Sequence, residues 1–146
     1  RIVFPDKSYN LIAPKNTFIQ KMIDYFPEEE QAIHNYIQLV DKANKASMKY
    51  FMAKTLSGIS EFLFYRSLTK QFFKYSDKTT LEVLSSITSN KKLIGVLTGQ
   101  WGDHGLTPSK SSFMMHAMIV NHYFDGGNYP VGGCRKIAES IVPFII

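Results

Sequence analysis

The fold of this chain follows from one stretch, Gln31-Ala-Ile-His-Asn-Tyr-Ile-Gln-Leu-Val-Asp-Lys-Ala43. Its apolar residues recur at intervals of three and four, which places them on one face of a helix. Pro27 and three glutamates precede it and suit a helix start, and lysines accumulate toward residue 55, where the helix dipole is negative. We predict a long helix whose buried stripe is Ala32, Ile33, Tyr36, Ile37, Val40 and Ala43.

Two smaller elements are predicted on the N-terminal side of this helix. Residues 1–12 contain β-branched and aromatic side chains on either side of a Pro5-Asp6 turn, which predicts a hairpin that packs on the helices. A shorter helix follows, capped by Asn16 or Thr17 and ended by Pro27. Its apolar face is predicted to consist of Phe18, Ile19, Met22, Ile23 and Phe26.

On the C-terminal side, Ser57-Gly58 interrupts the pattern before an aromatic-rich helix at Ile59–Tyr75. Its apolar positions include Ile59, Phe62, Leu63, Leu68, Phe72 and Phe73. Two interpretations stay open: a helix that faces the core, or one that lies on a bilayer surface with aromatics on one side and cations on the other. Shorter helices are predicted from Thr79 or Thr80 to Ile87 and at 91–97.

Residues 99–134 are richer in glycine, proline and aromatic residues than the helices before them. Thr107-Pro108 is typical of a helix start, and we predict a buried helix from there to about Asp125. Residues 127–131 are predicted to be a short strand. The predicted fold class is therefore mainly α (α+β): a single helical domain, 1–146, with an N-terminal β-hairpin and this strand.

The histidines of this segment do not have the spacing of a metal site. His104, His116 and His122 contain no pair at the i, i+4 interval, so no metal is predicted, and His116 is interpreted as a core histidine. Cys134 is interpreted as a small packed residue, and Gly132-Gly133 as either a tight turn or a place where a ligand approaches the backbone. No Gly-x-Gly-x-x-Gly fingerprint occurs, which disfavours independent dinucleotide binding.

Bulk properties narrow the class of protein further. The net charge is +5, but only three arginines are present and the lysines are scattered, so no nucleic-acid partner is predicted. A single cysteine, no Asn-x-Ser/Thr site, no apolar run of spanning length and no signal peptide predict a cytoplasmic protein, with membrane association left open.

Several motifs resemble the retinol saturase and carotenoid isomerase branch of the phytoene-desaturase-like flavoproteins. The resemblance is most specific over 99–143, and the chain shows little of it over about 40–95. The motifs are Trp101-Gly-Asp-His-Gly-Leu-Thr-Pro-Ser-Lys-Ser-Ser-Phe113, Met115-His-Ala117, Asn121-His-Tyr-Phe-Asp-Gly126, Tyr129-Pro-Val-Gly-Gly133, Arg135 and Ile137-Ala-Glu139, with Ile2-Val-Phe-Pro-Asp6 and Phe26-Pro-Glu-Glu29 nearer the start.

The resemblance implies an FAD-dependent oxidoreductase or isomerase acting on carbon–carbon double bonds of an apolar polyene, of retinoid or carotenoid type. It also implies that residues 1–146 are the substrate-binding insertion of a larger two-domain protein, whose FAD domain is the partner of this segment. The segment alone is then expected to be inactive and free of FAD. The chain opens without methionine and has no flavin fingerprint, which fits a piece of such a protein.

The resemblance also suggests which residues line the site. Tyr129 and Pro130 are implied as substrate-binding, and Gly132 and Gly133 as positions that approach the flavin. Trp101, His116 and Tyr123 are the further polar or aromatic residues that this hypothesis places near the substrate. Two alternatives stay open: a stand-alone helical module that binds a lipophilic ligand or a membrane surface, and a segment that serves only packing or assembly.

Overall fold

A computed structural model of the chain describes residues 1–56 and 59–145, and the side chains of these residues except 59–64. Within them the predicted fold class is confirmed, because helices predominate and two short strands form a small antiparallel sheet. The predicted break at Ser57-Gly58 and the predicted apolar side chains of Ile59, Phe62 and Leu63 lie outside the described residues. The elements are β1 (Ile2–Val3), β2 (Ser8–Tyr9), α1 (Lys15–Tyr25), α2 (Glu30–Ala53), α3 (Ile59–Ser76), α4 (Thr80–Ser85), α5 (Lys91–Leu97), α6 (Phe113–Tyr123) and α7 (Arg135–Ile141), with 3₁₀ turns at Pro27–Glu29, Trp101–Asp103 and Val142–Phe144.

Helix α2 is the centre of the core. It packs against α1, α3 and α6, and all six residues of its predicted stripe are buried. The opposite face carries charged and polar side chains, since the apolar residues keep the 3.6-residue period over several turns. The stretch from Gln31 to Ala43 therefore lies where the other helices converge.

The predicted hairpin is confirmed and packs on the helices. Ile2 pairs with Tyr9 and Val3 with Ser8 in antiparallel register. The Tyr9 ring is buried and stacks on the Phe26 ring, with centroids 5.4 Å apart. Ile2 occupies the space beside Gly99, where a Cβ atom would come within 2.4 Å of the Ile2 side chain. Helical partners therefore stabilise a hairpin too short to be stable alone.

Helix α1 has the predicted apolar face but begins earlier than predicted. Phe18, Met22 and Phe26 are buried, and Ile19 and Ile23 pack against the core. The predicted cap at Asn16 or Thr17 is wrong, because the helix begins at Lys15 after Pro14 and has no side-chain cap. The Pro14 carbonyl accepts a hydrogen bond from the Phe18 N–H at 3.0 Å, so the first helical turn already includes residues 15–17.

The predicted start of the helix at Thr107-Pro108 is also wrong. Helix α6 begins at Phe113, and the Ser112 side chain caps it by accepting a hydrogen bond from Met114 N–H. Residues 107–112 form turns instead, because their carbonyls are used by the start of α4: Leu81 N–H donates to Pro108 O and Thr80 N–H to Ser111 O, both at 2.8 Å. A tertiary contact thus interrupts a segment whose local sequence favours a helix.

The short strand predicted at residues 127–131 is not formed. This segment is irregular and pairs with no strand in the described part of the chain. Extended residues become a strand only when a neighbouring backbone satisfies their hydrogen bonds, and no backbone of residues 1–56 or 59–145 pairs with this segment as a strand. None of the described helices is both long and apolar enough to cross a bilayer.

Candidate functional site

An apolar cavity of about 290 Å³ lies where the chain leaves the hairpin and where α6 ends. The segment after β2 and the end of α6 form two of its walls, and Phe18 of α1 also contributes to the lining. The lining residues are Leu11, Ile12, Ala13, Phe18, Gln100, Val120, Tyr123, Phe124, Gly126 and Gly127.

Glycine is needed at the mouth of this cavity because of the backbone conformation there. Gly126 has a φ of +90°, which disfavours other residues, and it lets the chain turn directly after α6. A Cβ atom at this position would make only an ordinary van der Waals contact with the Cβ of Ala13, at 3.5 Å. The conformation of Gly126, and not the space beside it, therefore requires glycine where the cavity lining follows α6.

The lining suits a hydrocarbon ligand that carries one polar group. Phe18 and Phe124 are both buried, and their ring centroids lie 5.4 Å apart. Gln100 and Tyr123 supply the polar side chains of the lining. Such a mixture, mostly apolar with a few polar groups that fix orientation, is typical of small-molecule sites.

A lysine–aspartate ion pair and a further aspartate lie next to residues that line the cavity. Behind Phe124, Lys15 Nζ lies 2.6 Å from both carboxylate oxygens of Asp41 and 5.4 Å from the centre of the Phe124 ring. On the other side, hydrogen bonding with the Asp103 carboxylate, and then its negative charge, raise the pKa of the Tyr123 hydroxyl. The Tyr123 hydroxyl thus lies near the Asp103 carboxylate of the 3₁₀ turn.

His116 lies in the core between α6 and α2, and only 2% of its surface is exposed. Its Nε2 shares a hydrogen bond with the Tyr36 hydroxyl at 2.9 Å. Burial, and then the charge of His104, lower the pKa of His116 to about 4, while burial raises that of Tyr36. Both groups are therefore neutral near pH 7. The interpretation of His116 as a core histidine is confirmed.

His104 is the unusual polar residue of this region. Both of its ring nitrogens are buried, and neither has a hydrogen-bond partner among the described residues. A buried polar group without a partner costs about 1–3 kcal/mol. Within the described residues, no three His, Cys, Asp or Glu side chains come together in a way that would hold a metal ion.

The Tyr129–Cys134 segment forms a separate turn. Tyr129 is 75% exposed, and its hydroxyl accepts a hydrogen bond from the Cys134 backbone N–H at 3.3 Å. Gly132 and Gly133 lie inside this turn with φ values of +90° and +86°. The tight-turn interpretation of the two glycines therefore describes their backbone, and Cys134 is exposed, not packed.

The structure brings only part of the predicted site together. Of the five predicted substrate-binding residues, all of which are described, Tyr123 lines the cavity. Trp101 lies next to Gln100 in sequence but is not part of the lining, His116 is in the core, and Tyr129 and Pro130 belong to the separate turn. Phe18, Val120 and Phe124 were not predicted as site residues, because the sequence indicated only that Phe18 lies on an apolar helix face and that the other two belong to a buried helix.

The described residues do not fit a dinucleotide such as FAD. A dinucleotide site needs a parallel strand, a glycine-rich turn and a helix whose N-terminus faces the pyrophosphate. Here the described residues form one antiparallel pair of two-residue strands, and Gly132-Gly133 leads from an irregular segment into a helix of seven residues.

Comparison with known proteins gives relatives of one kind. The chain is 32% identical to the all-trans-retinol 13,14-reductase of Danio rerio over 141 residues, which cover 94% of the chain and 23% of that protein. It is 33% identical to the Homo sapiens all-trans-retinol 13,14-reductase over 143 residues, covering 95% and 23%. A Danio rerio protein named inactive all-trans-retinol 13,14-reductase is 25% identical over 146 residues, covering 93% and 23%.

The chain thus spans about a quarter of the length of the curated relatives it matches. No family model matches it. No solved structure matches it either.

Proposed function

We propose that this chain is the substrate-binding segment of an FAD-dependent oxidoreductase that reduces a carbon–carbon double bond of a retinoid. One observation carries the proposal: 94–95% of the chain aligns with proteins named all-trans-retinol 13,14-reductase at 32–33% identity. An alignment of that extent includes both walls of the cavity, the hairpin exit near Leu11 and the end of α6 near Phe124.

The cavity supports a retinoid as the ligand. Its volume of about 290 Å³ is at the lower end of the range of small-molecule sites, which fits one end of an isoprenoid chain. Burying about ten methylene-sized groups contributes roughly 8 kcal/mol before the costs of ordering the ligand. The Tyr123 hydroxyl and the Gln100 amide are the groups of this cavity that we assign to an alcohol function.

The roles of cofactor and chain are divided in this proposal. A flavin supplies the hydride and electron transfer, and residues outside this chain hold it. The residues of this chain exclude water from the hydrocarbon and orient it through Phe18, Val120 and Phe124. A relative named inactive also matches this chain, so binding and turnover have to be measured separately.

Binding of all-trans-retinol to the 146-residue chain tests the proposal. Trp101 is the one tryptophan of the sequence and neighbours Gln100, so energy transfer from its indole to bound retinol reports binding. Ile12→Glu places a charge in the cavity lining, and Leu106→Glu places the same charge outside it; both positions are exposed in the free chain. A hydrocarbon bound in the cavity would desolvate the carboxylate at position 12 only, so we expect Ile12→Glu to weaken binding about tenfold or more and Leu106→Glu to leave it unchanged.

Turnover is tested by exchanging the matching segment of the Danio rerio reductase for this chain. We expect the exchanged protein to reduce all-trans-retinol and Ile12→Glu within it to lower that activity.

Retinol binding without activity in a chimera that retains its flavin would favour a stand-alone lipophilic-ligand module. Equal effects of Ile12→Glu and Leu106→Glu on binding would contradict the cavity assignment, and flavin that stays with the isolated chain through gel filtration would contradict the division of roles.

A further inference from the structure

The positive charge of the chain is concentrated in one part of it. Residues 42–78 contain eight lysines and arginines and two acidic residues, a net charge of +6. The rest of the chain has nine basic and ten acidic residues, a net charge of −1. The lysines look scattered along the whole sequence. The excess positive charge, however, lies at the end of α2 and on α3.

The fold gathers these lysines into two adjoining grooves along α2 and α3. Lys42, Lys45, Lys49 and Lys74 line the first groove, and Lys70, Lys74 and Lys78 line the second. Among the described residues, no carboxylate oxygen lies within 4 Å of any of these six ammonium groups. We call these six residues the lysine groove; Asp77 also lines its second part, so the groove keeps a net positive charge without an ion pair to any described carboxylate.

An exposed apolar patch lies beside the lysine groove. Met48, Phe51 and Met52 are 60%, 53% and 65% exposed, and their spacing places them on one side of the last turns of α2. Phe73 of α3 is 43% exposed. The Tyr50 ring connects the two helices, since it lies 5.6 Å from the Phe51 ring and 5.9 Å from the Phe73 ring. We call Met48, Phe51, Met52 and Phe73 the apolar tip.

The residues next to the apolar tip are packed and join α3 to α2. Phe72 stacks on Tyr50 with ring centroids 3.9 Å apart and packs against the core, and Tyr75 is buried. Phe72 and Tyr75 therefore join α3 to α2 and are not free to contact a membrane. Among the described aromatic residues predicted to face a bilayer, Phe73 is therefore the one that is exposed. A bilayer would contact Phe73 and the end of α2.

From this arrangement we propose that the lysine groove and the apolar tip dock the chain on the surface of an anionic phospholipid bilayer. Interfacial binding combines attraction of lysines to acidic headgroups with insertion of nearby apolar side chains, and both features are present side by side here. The cytoplasmic leaflets of membranes carry such lipids. Nucleic acid fits less well, because methionine and phenylalanine at the tip add nothing to a phosphate contact and the arginines that favour base recognition are few.

Sedimentation of the 146-residue chain with vesicles tests the docking surface independently of retinoid binding. The vesicles contain either phosphatidylcholine alone or equal parts of phosphatidylcholine and phosphatidylserine. We expect binding to the mixed vesicles only, weakened by added salt because surface electrostatics are screened. With about 1 kcal/mol per lysine at the surface, Lys45→Glu combined with Lys49→Glu should lower the partition coefficient about 30-fold or more.

Matched variants separate the surface from general effects. Lys91→Glu with Lys110→Glu changes the net charge equally outside the lysine groove, and we expect a small effect from it. Phe51→Ser with Met52→Ser should weaken vesicle binding, whereas Leu106→Ser with Val131→Ser, also at exposed apolar positions, should not. Circular dichroism checks that each variant retains its helices.

Three outcomes would overturn the membrane assignment. The first is no binding of the parent chain to anionic vesicles. The second is equal loss in the groove variant and in its charge-matched control. The third is salt-dependent binding to duplex DNA or RNA without vesicle binding, unaffected by Phe51→Ser with Met52→Ser, which would assign the lysine groove to nucleic acid.

Discussion

At the scale of single residues, the pair formed by Tyr36 and His116 joins the two helices that make most of the core. Their hydrogen bond of 2.9 Å crosses the α2–α6 contact, and both side chains are almost fully buried. The imidazole is the basic group of this pair and becomes charged in acid. Burial lowers its pKa to about 4. Charging it would place an unpaired cation in the core.

His116 predicts how stability depends on pH. Its pKa is about 4 when folded and about 6.5 when unfolded, so the unfolded chain binds more protons between these values. The contribution to stability is complete above pH 6.5 and is lost as the pH falls toward 4, by up to about 3 kcal/mol. In urea unfolding at several pH values, we expect His116→Gln to flatten this slope.

His34 provides the control for that measurement, because its side chain is exposed on α2 and lies 3.8 Å from Glu30. His34→Gln should leave the slope between pH 6.5 and 4 as it is in the parent chain. A slope that survives in His116→Gln would mean that other groups produce it.

At the scale of elements, the start of α4 is fixed by its own side chains and by a distant segment. Thr79 forms a capping box with Glu82: the Thr79 side chain accepts from Glu82 N–H, and the Glu82 carboxylate accepts from Thr79 N–H at 2.7 Å. The Thr80 hydroxyl lies 2.9 Å from that of Ser111, which ties the same turn to the residues before α6. The two helices therefore begin from one hydrogen-bonded junction.

Thr79→Ala tests the local half of this junction. It removes the cap of α4, and we expect a loss of about 1 kcal/mol in the free energy of unfolding, measured by urea titration. Ser85→Ala is the control, because Ser85 is exposed at the other end of the same helix; its effect should stay within about 0.5 kcal/mol. Similar losses in the two variants would show that the capping box contributes little.

At the scale of the whole molecule, the hairpin belongs to the core and the last helix does not. Tyr9 is buried among the rings of Phe4, Tyr25 and Phe26. In contrast, α7 has no buried residue and packs on the 3₁₀ turn that follows it. The two ends of the described chain thus contribute very differently to stability, although both are rich in apolar residues.

Deletion of each end tests this difference. Removing residues 134–146 should change the free energy of unfolding of the remaining chain by less than about 0.5 kcal/mol, because the described residues of this range, 134–145, are all exposed. Removing residues 1–10 should cost several kcal/mol, since burial of one large aromatic side chain alone contributes about 3–5 kcal/mol. Urea unfolding followed by circular dichroism measures both, and a large loss on removing residues 134–146 would reveal a packing role for α7.

The sequence alone determined the elements whose signal is local and repeated. The buried stripe of α2, the apolar face of α1 and the hairpin follow from periodicity and turn residues, and the cap of α4 was narrowed to Thr79 or Thr80, of which the structure has Thr79. Such signals are carried by neighbours in the chain, so no tertiary information is needed to read them. The resemblance in residues 99–143 also agrees with the retinol reductases that the chain matches.

Only the tertiary structure decided which of these residues meet. Helix α6 begins at Phe113 and not at Thr107, because the carbonyls of Pro108 and Ser111 bond to α4. The cavity joins Leu11, Phe18 and Phe124, and the lysine groove joins Lys49 to Lys74, from segments far apart in sequence. Periodicity shows that a side chain is buried or exposed but not which partner it contacts, since that depends on how separate helices pack.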